Sequence, residues 1–85
     1  MKARVTVYPR PGLLDPQGKA IHQALQRIGF DAVTAVRAGK SFELDLAASD
    51  AEEARRQLRE MCDKLLANTV VEDYRFELLG DGVEP

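Results

Sequence analysis

The chain has 85 residues, of which 45% are hydrophobic and 31% are charged, and its net charge is −2. This length suits one small domain with a modest core, and the composition is typical of a globular chain. The weak acidity gives no overall attraction to nucleic acid, and no apolar run reaches the ~18 residues of a membrane span. We therefore expect one cytoplasmic domain, residues 1–85, that binds neither nucleic acid nor membrane.

The first part of the chain predicts a strand followed by a helix. Residues 3–8 alternate apolar and polar side chains, as a half-buried strand does, until Pro9 interrupts the pattern. Asp15 and Pro16 suit a helix start, because the carboxylate can cap free amides and proline fits the first helical position. Gly29 is the expected left-handed stop. The apolar stripe of this helix consists of Ile21, Ala24, Leu25 and Ile28.

The middle of the chain predicts a β-hairpin. Residues 33–38 form the second predicted strand, and Gly39 with Lys40 forms the turn. Residues 42–46 again alternate apolar and polar side chains and form the third strand. The short connection implies that the two strands pair antiparallel.

The last part predicts a second helix and a fourth strand. Ser49 with Glu52 has the spacing of a capping box, and Asn68 is the expected end of the helix. The apolar stripe consists of Ala54, Leu58, Met61 and Leu65. Residues 70–79 form the final strand, with Tyr74, Phe76 and Leu78 on one face, and residues 80–85 form a polar tail.

The predicted order is β-α-β-β-α-β, which indicates an α+β, ferredoxin-like, two-layer sandwich. Its four-stranded antiparallel sheet would carry both helices on one face, with the first and third strands in the middle. The second and fourth strands would be edges, and open edges favour pairing with another chain. The other sheet face would carry Arg4, Thr6, Tyr8, Glu43, Asp45, Arg75, Glu77 and Leu79.

The sequence offers no self-contained set of catalytic residues or metal ligands. His22 is the only histidine and Cys62 the only cysteine, so a metal cluster or a nucleophilic triad lacks partners within the chain. Cys62 lies in the C-terminal half of its helix, where the helix dipole disfavours a thiolate. We therefore expect no catalytic residue, no metal site and no cofactor in this chain.

The segment of residues 9–19 departs furthest from regular strand or helix. It contains three prolines, two glycines and the cations Arg10 and Lys19. Three interpretations remain open: a rigid connection, a docking surface for a partner protein, and an anion site beside free helical amides.

The same topology occurs in domains with quite different functions. Acylphosphatases have an arginine after the first strand, which Arg10 would match, but their strand asparagine has no counterpart because the only asparagine is Asn68. RNA-recognition domains need several aromatic residues on the open sheet face, where only Tyr8 qualifies. An ACT-type module that senses small ligands at dimer interfaces stays as the alternative.

Several blocks of residues resemble one known family over nearly the whole chain. They are 5–12 (VTVYPRPG), 14–20 (LDPQGKA), 36–40 (VRAGK), 42–44 (FEL), 61–68 (MCDKLLAN) and 71–74 (VEDY). They are similar to PurS, the small subunit of phosphoribosylformylglycinamidine synthase, a complex of de novo purine synthesis.

The resemblance implies a noncatalytic subunit of a glutamine-dependent, ATP-consuming C–N ligase complex. Such a subunit bridges an ATP-dependent synthetase subunit and a glutaminase subunit, and assists ammonia transfer to formylglycinamide ribonucleotide. ATP and Mg²⁺ would be used by the synthetase subunit. The resemblance also implies a dimer or a dimer of dimers. Our candidates for docking to partners are Arg10, Asp15, Lys19 and Lys40.

Overall fold

The computed structural model describes residues 1–12 and 15–79. The predicted polar tail, residues 80–85, lies outside the described residues. In chain order the elements are β1 (Lys2–Pro9), α1 (Pro16–Arg27), β2 (Lys40–Asp45), α2 (Ala51–Met61), a π-helical turn (Cys62–Leu66) and β3 (Glu72–Leu79).

The strands form an antiparallel sheet in the order β2-β1-β3. Val5 of β1 lies opposite Phe42 of β2 and Phe76 of β3. Directly opposed residues share a face, so the apolar sets of the three strands lie on the same side of the sheet. The alternation in the sequence therefore predicted both faces of these strands correctly.

The core lies between this apolar sheet face and α2. Leu58 is fully buried, as are Val5 and Val7 of the central strand. The other fully buried side chains of the described residues are Ala3, Ala54 and Cys62. Burying a large aliphatic side chain contributes about 1.5–3 kcal/mol, so the packing of α2 on the apolar sheet face stabilises the single chain.

The end of the second helix differs from its predicted stripe. The backbone N–H of Ala67 donates to the carbonyl of Cys62 at 3.0 Å, five residues back, which defines a π-helical turn. The wider turn rotates the following side chains away from their α-helical positions. Leu65 was predicted to be in the core but is 82% exposed, whereas Leu66 is half-buried against the core.

The prediction of a four-stranded, ferredoxin-like sheet is wrong for this chain, because the sheet of the described residues has three strands. Residues 33–38 belong to no strand or helix. A two-residue hairpin turn requires positive φ, and Gly39 is not among the residues with positive φ. The backbone at Gly39 therefore does not form the predicted two-residue turn, and β2, paired only with β1, is an edge strand instead of a central one.

Helix α1 is formed as predicted, but its apolar stripe is not covered by the sheet. Gly18 is the only buried residue of α1. Ile21 is 40% exposed and Ile28 is 70% exposed, and Phe30 beyond the helix is 56% exposed. The prediction that both helices pack on one sheet face therefore holds for α2 only.

The helix ends are set by local hydrogen bonds. Asp15 caps α1 as predicted, and Gly29 has the expected positive φ of 102°. The cap of α2 is Asp50 instead of Ser49, since the Asp50 carboxylate accepts from the backbone N–H of Glu53 at 2.8 Å. Of the described helices, none combines the length and apolar character needed to cross a bilayer.

Candidate partner-docking site

Asp15 joins the start of α1 to the irregular segment that precedes β2. Its carboxylate accepts hydrogen bonds from the backbone N–H groups of Ala38 and Gly18, each at 3.0 Å. These bonds, first the one from Ala38 and then the one from Gly18, hold the pKa of Asp15 below its ordinary value, against a smaller opposing effect of burial. The two segments are therefore tied together by one charged side chain.

Gly18 is required where α1 approaches the same segment. A Cβ at this position would lie 2.5 Å from the carbonyl oxygen of Val36 and would also clash with the Asp15 carboxylate. Any side chain would force the helix away from residues 36–38. These contacts explain why the block 14–20 contains an aspartate at position 15 and a glycine at position 18. Leu14 of the same block lies outside the described residues.

Arg10 braces the turn that leads into β3. Its guanidinium donates to the carbonyl of Thr69, and its Nε lies 3.2 Å from the Asp73 carboxylate. Its backbone N–H also donates to the carbonyl of Val71 at 3.0 Å. Arg10 was predicted as a docking cation, but its charge is already shared with residues of its own chain.

The two candidate lysines lie on different elements. Lys19 is exposed on the first turn of α1, and none of its side-chain contacts in the described residues is an ion pair. Lys40 is exposed at the start of β2, with its ammonium 5.9 Å from the centre of the Phe42 ring. Asp15 is linked to Ala38, two residues before Lys40, whereas Arg10 is tied to the turn before β3. The four candidates therefore form no single cluster.

Arg37 lies in the segment before β2, and our predictions from the sequence assigned it no role. Its Nη1 donates to the carbonyl of Pro9 at 3.2 Å, and its guanidinium lies 4.9 Å from the centre of the Tyr8 ring. Arg37 thus holds the segment before β2 against the end of β1. No spacing in the sequence indicates this contact, because Tyr8 and Arg37 meet only through the path of the connecting helix.

The only cysteine and the only histidine of the chain, a candidate nucleophile and a candidate base, both contact other parts of the chain. Cys62 is fully buried, and burial raises the pKa of its thiol, with a further contribution from Asp63. The His22 ring Nε2 lies 2.8 Å from the carbonyl oxygen of Val33. Within residues 1–12 and 15–79, no group of three or more His, Cys, Asp or Glu residues is placed to hold a metal ion.

Comparison with known proteins identifies the family. The model of the PurS family, phosphoribosylformylglycinamidine (FGAM) synthase, matches residues 2–80. The chain belongs to the PurS family. A PurS subunit from Synechocystis sp. is 52% identical over 75 residues, which cover 88% of this chain and 75% of that protein. The PurS subunit of Bacillus subtilis is 46% identical over 77 residues, which cover 91% of this chain and 90% of the relative.

Solved structures of PurS proteins share the fold. PurS of B. subtilis superposes with a TM-score of 0.77 at 46% identity, over 89% of this chain and 94% of that one. A chain of the structure of PurLQS from Thermotoga maritima superposes with a TM-score of 0.82 at 33% identity, over 92% of this chain and 95% of that one. The chain is therefore a small subunit of FGAM synthase, an enzyme of purine biosynthesis, and the ACT-type alternative has no support.

Proposed function

We propose that this chain is a noncatalytic docking subunit that joins the ATP-dependent synthetase and the glutaminase of FGAM synthase and helps ammonia pass between them. The observation that carries the proposal is the match to a chain of a structure described as PurLQS, which covers 92% of this chain. ATP and Mg²⁺ act in the synthetase subunit on this proposal, and this chain supplies no cofactor site of its own.

The arrangement of the candidate site supports a docking role. The hydrogen bonds of Asp15 and the close contact at Gly18 hold the start of α1 against residues 36–38. A connection held in this way presents Lys19 and Lys40 on a rigid support. Rigid presentation favours association, because less conformational entropy is lost when a partner binds.

We propose that the partners of this chain also include a second copy of itself, in a dimer or a dimer of dimers. The apolar side chains of Ile21, Ile28 and Phe30 are exposed on and beside α1. Strands β2 and β3 are both edges of the sheet formed by the described residues, and residues 33–38 pair with no strand of that sheet. Association that covers α1 and pairs one of these segments would bury this apolar surface and satisfy backbone groups.

The cytoplasm is the proposed location. Cys62 is a free, buried thiol, which is the usual state of cysteine in a reducing compartment. A complex that consumes ATP and glutamine must also lie in a compartment that contains both metabolites, as the cytoplasm does.

Assembly with purified partners tests the docking role. Synthetase, glutaminase and this chain are mixed with ATP and glutamine, and the molar mass of the complex is measured by size-exclusion chromatography with light scattering. We expect one complex that contains all three proteins, and we expect Lys19→Glu to weaken it. Lys64→Glu on α2 is the matched control, since the Lys64–Glu60 ion pair is exposed and worth little. Separate elution of the three wild-type proteins would contradict the proposal.

A further inference from the structure

The uncovered face of the sheet carries one row of side chains that differs from its neighbours. In the strand register Thr6 of β1 lies opposite Ser41 of β2 and opposite Arg75 of β3. Directly opposed side chains are about 4.5–5.5 Å apart at Cβ, so the three form a continuous row across the sheet. The row contains two hydroxyl groups and one guanidinium, and no carboxylate.

The carboxylates of the adjacent rows are already engaged with other arginines. Arg4 lies between Glu43 and Glu77, at 3.6 Å and 3.3 Å. Asp73, on the other side of the row, is paired with Arg10 at 3.2 Å. Each of these three carboxylates therefore already has an arginine partner. Arg75 itself forms no ion pair with another described residue. Its positive charge is therefore left for a group outside the described residues.

A second arginine, Arg37 in the segment before β2, lies beside the row of Thr6, Ser41 and Arg75. The guanidinium of Arg37 stands over the Tyr8 ring and uses Nη1 for the carbonyl of Pro9. A guanidinium has five N–H donors, so most of those on Arg37 remain for another acceptor. Together these side chains line an open depression of about 580 Å³, whose walls are Thr6, Tyr8, Arg37, Gly39, Lys40, Ser41 and Arg75.

We propose that this depression, the Arg37–Arg75 cleft, binds the phosphoryl group of a small phosphorylated molecule. Its arginines can form paired hydrogen bonds with phosphate oxygens, and the hydroxyls of Thr6 and Ser41 can donate to a further oxygen. The oxygens of a tetrahedral phosphate point in different directions, so they can accept hydrogen bonds from both arginines and from the hydroxyl groups at once. A carboxylate has only two oxygens, which lie in one plane, and cannot accept from all of these donors. Of the residues that line the cleft, Lys40 is also a docking candidate, but the proposed phosphate ligands Arg37, Arg75, Thr6 and Ser41 are not, so phosphate binding can be tested on the isolated chain.

The first test is a titration of the isolated protein with inorganic phosphate, followed by ¹⁵N–¹H NMR at constant ionic strength with chloride as the reference salt. We expect saturable shifts of the backbone amides of Thr6, Gly39 and Ser41. A parallel titration with glycerol 3-phosphate separates a phosphoester ligand, which would bind more tightly, from free phosphate. Shifts that chloride reproduces, or that spread to exposed lysines and arginines outside the cleft, would overturn the proposal.

Substitutions then assign the binding to the cleft. Arg37→Gln and Arg75→Gln should each weaken phosphate binding by about three- to tenfold, the range expected for losing one charge-assisted hydrogen bond at an exposed site. Arg55→Gln on α2 removes the same charge elsewhere and should leave the affinity unchanged. Equal affinity in all variants would overturn the assignment. So would tighter binding of an oligoglutamate peptide than of either phosphate, which would instead indicate an acidic protein surface as the ligand.

Discussion

The Asp15 carboxylate accepts the backbone N–H of Ala38 at 3.0 Å across 23 positions of sequence. This bond joins the start of α1 to the entry of β2, while α1 contributes no side chain to the core cluster. The orientation of α1 therefore depends on the junction of Asp15, Gly18 and Ala38 more than on burial of its apolar stripe. The same junction therefore sets the position in which α1 is presented to a partner on our proposal.

Asp15→Asn should destabilise the protein, and the effect should depend on pH. The asparagine retains one acceptor oxygen for two N–H donors, so one hydrogen bond is lost, and we expect the Tm to fall by about 4–8 °C near neutral pH. The folded pKa of Asp15 lies below its ordinary value of 3.8. Its contribution is therefore complete above that value and is lost as the pH falls through the folded pKa.

Thermal unfolding of both proteins across the acid range measures this effect. The difference in Tm should be constant from neutral to mildly acidic pH and should shrink below the ordinary value of 3.8. The pKa of Glu53 is also lowered, chiefly by Arg56, but that effect is common to both proteins and cancels. A difference in Tm that stays constant into strong acid would show that the charge of Asp15 has no part in the junction.

Gly18→Ala should destabilise the protein, although this change usually stabilises a helix. The added methyl group would lie 2.5 Å from the Val36 carbonyl oxygen, and we expect a loss of about 1–3 kcal/mol. Gln17→Ala on the same turn is exposed and should change stability by less than about 0.5 kcal/mol. Urea denaturation of the two variants gives the comparison, and a stabilised Gly18→Ala variant would contradict the close contact.

Local patterns in the sequence predicted the parts of this fold that depend on local contacts. The alternation in β1 and the Asp15–Pro16 helix start are short-range signals, and both are confirmed. The missing fourth strand could not be anticipated, because the Ala38 N–H donates to Asp15, 23 positions away, and a contact at that separation leaves no local pattern in the sequence. The Arg37–Tyr8 contact likewise depends on the path of the whole connection.

The π-helical turn can be tested with two leucines of the second helix. Leu58 is fully buried and Leu65 is 82% exposed. In an uninterrupted α-helix both side chains would lie on the same apolar stripe. Leu58→Ala should cost about 2–5 kcal/mol, whereas Leu65→Ala should cost less than about 0.5 kcal/mol. Equal losses in denaturant unfolding would show that Leu65 packs in a core.

The uncovered face of α1 predicts a change in oligomeric state. Ile28→Lys places a charge on an apolar side chain that is 70% exposed in one chain, so it should not unfold the subunit. We expect it to weaken self-association by at least about tenfold, as measured by analytical ultracentrifugation. Gln26→Lys adds the same charge at another exposed position of α1 and is the control. Unchanged association of Ile28→Lys would exclude this part of α1 from the interface.

On our proposal the chain has no catalytic centre of its own but is required for the coupled reaction of the complex. The direct measurement is the rate at which purified synthetase and glutaminase amidate formylglycinamide ribonucleotide, with and without this chain. With glutamine as the nitrogen source, omission should abolish most of the rate, whereas the rate with added ammonia should persist. A glutamine-dependent rate that is the same without the chain would contradict the account.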